Sequence, residues 1–138
     1  MPNSIALKIR LSSVVLPILL LVACASTQDE MYLLDKSFMA YERALRWQDY
    51  DVMIAFHKNE QENLTVGQRK YLKQFRVTSY NVVFNSVEPD NKHANQIIEL
   101  KYYKNDSITV RDLTLNNKWE FDDKTQRWYL TNALPDFK

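Results

Sequence analysis

The chain has 138 residues, 46% hydrophobic, 25% charged and 12% aromatic, an ordinary globular balance with room for one domain and one modest core. Its formal net charge of +1 gives no global field for capturing nucleic acid, which shows as a strong basic excess. One glycine, Gly67, excludes a P-loop, a dinucleotide fingerprint and a G-x-S-x-G elbow, and one cysteine with two histidines excludes zinc sites of the finger, ribbon or H-E-x-x-H kind.

Residues 1–23 combine a short basic stretch with Lys8 and Arg10, an apolar run from Leu11 to Val22, and a small-residue exit at Ala23. This is the pattern of a secretory signal. At ~1.5 Å per residue the run is too short for a hydrocarbon core of roughly 30 Å, and Pro17 weakens it further as a spanning helix. The exit Leu21-Val22-Ala23-Cys24 resembles the bacterial lipobox. That resemblance implies that the Cys24 thiol takes a diacylglyceryl group and becomes an acylated N-terminus. A lone thiol exported to an oxidising compartment is a liability unless it is consumed, and a thioether to lipid consumes it. At ~0.8 kcal/mol per buried CH₂, two or three acyl chains hold a soluble domain on a bilayer. Ala25 stands where the family's sorting rule places Asp for inner-membrane retention, which implies the periplasmic face of the outer membrane. The alternative is an ordinary signal peptide with an incidental or buried cysteine. With Lys8 and Arg10 removed, 16 basic residues face 17 acidic ones.

The expected organisation is therefore a signal peptide over residues 1–23, a tether over 24–29 and one domain over 30–138. The tether reaches less than roughly 20 Å at ~3.3 Å per residue, so the domain sits close to its membrane. From Glu30 to Trp47, Met31, Leu34, Phe38, Tyr41 and Leu45 recur at spacings of three and four, with Asp35, Lys36, Glu42, Arg43 and Arg46 opposite. The spacing predicts an amphipathic helix. Tyr32, Met39 and Trp47 stray toward its polar side, where the sheet or a second surface is expected to wrap round. Asp49 reads as the N-cap of a short helix with Val52, Met53 and Phe56 inward, and Thr65 with Gln68 forms a capping box ahead of a third, with Tyr71, Leu72 and Phe75 apolar.

The period then changes. Val77–Val87, Ala94–Lys104, Ile108–Phe121 and Arg127–Thr131 are rich in β-branched and aromatic residues and are separated by turn formers at 88–91, 105–106 and 122–125. Short connections force antiparallel neighbours, so four strands make a meander. Ile98, Leu100 and Tyr102 share one parity, as do Leu113, Leu115, Trp119 and Phe121. The fold class is α+β: N-terminal helices packed on the greasy face of a four-stranded antiparallel meander, curved and cone-like.

Helices followed by such a meander, the segment Arg46-Trp47-Gln48-Asp49-Tyr50-Asp51-Val52-Met53-Ile54-Ala55-Phe56 and the closing Arg127-Trp128-Tyr129-Leu130 resemble the nuclear transport factor two superfamily over residues 30–132. Gly often precedes that Asp in the family, and Gln48 stands here, so the helix-to-helix turn is expected to differ. The superfamily hosts enzymes, binding modules and assembly factors, so fold alone decides little about function. Its enzymes place Asp or His inside the cone to move protons on apolar substrates.

Glu99 lies off the inward parity, and His57 and His93 fall at element ends. Asp112, sharing parity with Ile108 and Val110, is the one strand carboxylate positioned to point inward, with a solvated strand residue as the alternative. Asp122 and Asp123 read as turn formers. Arg69, Lys70, Lys73 and Arg76 gather on one arc of the third helix, where like charges repel by a few tenths of a kcal/mol per pair. Lipid phosphates or an acidic partner would compensate them, and a solvated face is the bland reading. Tyr80, Phe84, Tyr102, Tyr103, Trp119, Phe121, Trp128 and Tyr129 either line an apolar pocket or fill the core. The resulting expectation is a lipid-anchored, non-catalytic binding or assembly module that binds another envelope protein or a small apolar ligand, with no catalytic residue, metal, cofactor or nucleic acid. The alternative is a small cone enzyme doing acid–base chemistry on an apolar or lipid-derived substrate.

Overall fold

The computed structural model describes residues 28–59 and 64–138, so the signal peptide, Cys24 and most of the expected tether lie outside the described residues. Three helices pack against a four-stranded antiparallel open sheet, the α+β arrangement expected. The elements are α1 (residues 28–46), α2 (Tyr50–Phe56), α3 (Val66–Leu72), β1 (Phe75–Val87), β2 (His93–Lys104), β3 (Arg111–Asp122) and β4 (Arg127–Leu130).

Helix α1 forms as its spacing demands, burying Leu34, Tyr41, Ala44 and Leu45 and turning Lys36, Arg43 and Arg46 to water. The Trp128 indole N–H donates to the Glu30 carbonyl at 2.9 Å, fixing the first described turn of α1 to β4. Tyr32, Met39 and Trp47 are 58%, 57% and 79% exposed, so among the described residues no second surface wraps round them.

The α1–α2 turn carries the departure noted at Gln48. Its φ is 58°, the left-handed region that favours glycine. The Gln48 carboxamide donates to the Phe75 carbonyl at 2.8 Å and accepts from Arg76 at 3.1 Å. These bonds tie the turn to the start of β1 and offset a strain that a glycine would not carry. Asp49 caps α2 by accepting from the Val52 N–H at 3.3 Å. The inward stripe of α2 is Tyr50, Met53, Ile54 and His57, at i, i+3, i+4 and i+7, and not the expected Val52, which is exposed. Tyr50 sets that rotation, because its hydroxyl donates to the same Phe75 carbonyl at 2.7 Å.

The capping box of α3 is present, with Gln68 N–H to Thr65 Oγ1 at 3.2 Å and Thr65 N–H to Gln68 Oε1 at 2.8 Å. Of its expected apolar side Leu72 and Phe75 are buried, Phe75 as the first residue of β1 and not on the helix, while Tyr71 is exposed.

The sheet order is β1-β2-β3-β4, a meander. Ile98, Leu100, Tyr102, Leu115, Trp119 and Phe121 are buried on the helix-covered face, as their parity predicted. Two irregularities in β1, between Val77 and Ser79 and between Val82 and Phe84, bend that edge strand. β3 begins at Arg111, later than the Ile108 expected, because β2–β3 pairing ends at Tyr102 opposite Arg111 and leaves Ile108 and Val110 without a neighbouring strand. Tyr41 meets Trp119 and Phe56 edge-on at 5.7 and 5.9 Å, and Phe38 meets Trp119 at 5.4 Å. Such pairs contribute about 0.5–1.5 kcal/mol each beyond area burial. Beyond β4 the chain returns across the base of the domain: Phe137 stacks on Phe75 at 5.3 Å and meets Tyr102 at 5.0 Å.

Candidate functional site

The covered face of the sheet is where a cone enzyme would keep its acid or base. The side chains placed there are aromatic and amide groups. Gln96 and Asn117 face each other across β2 and β3, and both are buried. The Gln96 Oε1, both polar atoms of the Asn117 carboxamide, the Trp119 indole nitrogen and the Tyr80 hydroxyl are buried without a hydrogen-bond partner. Leaving such atoms unpaired costs about 1–3 kcal/mol each, so the set is a concentration of unused hydrogen-bonding capacity. Their parity with Ile98 and Trp119 was visible in the sequence; carboxamides at core positions were the signal overlooked.

His57 is fully buried, although its sequence position marked only an element end. Its Nδ1 lies 2.9 Å from the Asn132 carbonyl oxygen, which can only accept, so Nδ1 carries the proton and Nε2 accepts from the Tyr41 hydroxyl at 3.3 Å. A parallel bridge to Leu130 and the Lys58 N–H bond to the Leu130 carbonyl at 3.1 Å hold the same segment against β4. Burial pushes the Tyr41 phenol well above its ordinary range, with Tyr80 adding to the effect. Tyr80 is raised in the same way, by burial first and by Glu42 second, and Tyr50 is pushed up to about 12 by burial.

Of the basic quartet expected on the third helix only Arg69 and Lys70 lie on α3, because the helix ends at Leu72, leaving Lys73 as its C-cap and Arg76 in β1. Arg69 and Lys73 both bind Asp51 of α2, at 3.0 and 3.2 Å, and Arg76 donates to Gln48. Hydrogen bonds from Lys73 and then Arg69 hold the Asp51 carboxyl below its usual value. Repulsion among the four is thus offset in part by one carboxylate that only the tertiary structure brings near, while Lys70, Lys73 and Arg76 remain exposed.

Asp112 does not point inward. It lies on the open face, paired with its cross-strand neighbour Lys101 at 2.8 Å, because the inward set of β3 is Leu113, Leu115, Asn117, Trp119 and Phe121. Glu99 is exposed on the same open face. Asp122 accepts from the Lys124 N–H at 2.9 Å and Asp123 pairs with Lys92, as turn residues do. Glu88, Asp90 and His93 approach one another in the β1–β2 turn, where Asp90 accepts from the Lys92 N–H at 2.9 Å and from His93 Nδ1 at 2.6 Å. Of the expected aromatic set, Tyr102, Trp119, Phe121 and Trp128 fill the core, while Phe84 is half exposed on β1.

The clefts open outward. One of about 560 Å³ lies over Ser79, Asn81, Glu99, Lys101, Asp112 and Thr114 on the open face. Another, of about 630 Å³, runs between α1 and β1 past Met39, Arg43, Arg46, Trp47, Val77 and Thr78. A third, of about 330 Å³, separates α3 from the C-terminal residues at Tyr71, Leu134 and Phe137.

No protein-family model and no curated protein matches the sequence. Two solved structures share the fold. A SEC-C motif containing protein from Rhodopseudomonas palustris superposes with a TM-score of 0.53 at 9% identity, covering 70% of this chain and 73% of its own. A SEC-C motif containing protein from Psychrobacter arcticus gives 0.50 at 11% identity, covering 69% of this chain and 56% of its own, so this chain spans just over half of it. At these identities the likeness is one of fold.

Proposed function

We propose that this chain is a lipoprotein anchored through Cys24 on the periplasmic side of the outer membrane, whose single domain is a non-catalytic binding or assembly module of the envelope. The order of helices before a meander supports the resemblance to the nuclear transport factor two superfamily, and that membership is part of the proposal. One observation carries the non-catalytic reading: the buried side-chain groups left without a hydrogen-bond partner are a phenol, two carboxamides and an indole. These donate and accept hydrogen bonds but do not exchange protons near neutral pH. His57, the one interior imidazole among the described residues, is held by Asn132 and Tyr41. The unpartnered atoms at Gln96 and Asn117 favour one variant, in which the interior admits a small ligand rich in hydrogen-bonding groups.

The test is crosslinking in intact cells with mass spectrometry, comparing the wild-type chain with Cys24→Ser. A discrete envelope protein captured by the wild type and lost with the anchor is the expected result. Unchanged membrane partitioning of Cys24→Ser would overturn the anchor. Capture of nothing above background would overturn the assembly role, and native mass spectrometry of the purified protein would then report on an interior ligand.

A further inference from the structure

Helix α1 has a second stripe. Tyr32, Lys36, Met39, Arg43 and Trp47 follow one another at spacings of four, three, four and four, and each is exposed. At ~100° per residue they fall within about 80° of arc, directly opposite the buried line of Leu34, Tyr41 and Leu45. Trp47 keeps to this line because its N–H still bonds the Arg43 carbonyl at 2.9 Å. The outermost ridge of a surface helix is ordinarily its most polar part. Here three of its five side chains are large and apolar or amphipathic, and the other two are cations. The Lys36 ammonium lies 4.4 Å from the centre of the Tyr32 ring, and Arg43 lines the α1–β1 cleft beside Met39 and Trp47. Between Tyr32 and Trp47 no acidic residue falls in the arc; Asp35 and Glu42 lie on its flank, and Glu42 is taken up by Arg46 at 3.0 Å.

We infer that this ridge is a membrane-contact face: α1 lies along the bilayer surface with Tyr32, Met39 and Trp47 at the headgroup boundary and Lys36 and Arg43 against lipid phosphates. The inference rests on the lipid-anchor reading. Two features favour lipid over protein as the occupant. Residue 28, the first described residue of α1, stands four positions after Cys24 in the sequence, so an acylated N-terminus holds it within about 15 Å of the bilayer. The composition is also that of interfacial helices, in which Tyr and Trp sit at the boundary and cations extend to phosphate. The ridge extends ~22 Å along the helix, enough to set the whole domain in one orientation on its anchor.

Trp47 reports on this directly, because Trp119 and Trp128 are each 1% exposed and shielded from solvent quenchers. The acylated full-length protein is placed on vesicles of phosphatidylethanolamine and phosphatidylglycerol, and Trp fluorescence is quenched with acrylamide from water or with brominated lipid from the membrane. The expected result is that vesicles remove most of the acrylamide quenching, that lipid brominated near the headgroup quenches instead, and that Trp47→Phe abolishes both signals. The double substitution Lys36→Glu, Arg43→Glu, on a surface where folding is not at stake, should return Trp47 to water without releasing the protein. If the protein floats with the vesicles while Trp47 stays as open to acrylamide as in Cys24→Ser, the ridge inference fails and the anchor stands. If it does not float, the anchor reading fails and the inference falls with it. Protection of Trp47 already present without vesicles would assign the ridge to a second copy and overturn the lipid reading.

Discussion

Replacing Gln48 in two ways separates the strain of the α1–α2 turn from the bonds that hold it. At φ 58° a residue with a Cβ is disfavoured relative to glycine by about 1 kcal/mol, net of glycine's greater freedom in the unfolded chain. Against this stand the bond to Phe75, worth about 1 kcal/mol net, and the exposed one from Arg76, worth a few tenths. The Phe75 carbonyl keeps its bond from Tyr50, so losing Gln48 leaves no orphaned acceptor. Gln48→Ala removes both bonds and keeps the strain, and should cost about 1 kcal/mol, or a fall of about 4 °C in Tm for a domain near this size. Gln48→Gly removes the same bonds and the strain together, and should stay within about 2 °C of the wild type. Thermal and urea unfolding followed by circular dichroism at constant m value measures both. An alanine variant as stable as the glycine variant would refute the account, because the turn would then hold no strain for glycine to relieve.

Asn117→Val should raise stability by at least about 1 kcal/mol in chemical denaturation, since it deletes two buried polar atoms that have no partner; a loss of stability would show that the carboxamide is satisfied by a bound molecule. Tyr41→Phe should lower Tm by a few degrees, because it deletes the buried hydroxyl that donates to His57 Nε2, and an unchanged Tm would remove this bond from the account. Asp51 has a depressed carboxyl in the folded state, so its contribution is present above the unfolded carboxylate value and is lost as pH falls through the folded one. Asp51→Asn should therefore flatten the acid limb of the stability curve below about pH 4, by no more than the ~1 kcal/mol usual for exposed pairs. His93 is raised by its bond to Asp90, so its contribution is full below the ordinary imidazole value and is lost as pH rises through the folded one. His93→Gln should remove a decline in stability that the wild type shows on going from mildly acidic to neutral and alkaline pH.

The sequence by itself determined the elements and the buried side of the sheet. Periods of three to four in α1 and of two in β2 and β3 are local consequences of burying one face, and the capping pairs Asp49–Val52 and Thr65–Gln68 are satisfied within a single turn. Properties that depend on residues far apart in the chain were decided only by the tertiary structure. Asp51 reaches Arg69 and Lys73 across a helix–helix contact, so a row of like charges is offset in part by a carboxylate that no local spacing placed there. Asp112 is turned outward by the register with Lys101, and the rotation of α2 is fixed by Tyr50 on a carbonyl 25 positions away. The C-terminal residues carry no periodicity, yet Phe137 finds Phe75 and Tyr102, because an aromatic ring can be buried by a chain of any local shape. The exposed ridge of α1 lies between these cases. Its spacing is written in the sequence, but the pattern alone could not tell a second buried face from a bare one until the fold left Tyr32, Met39 and Trp47 uncovered.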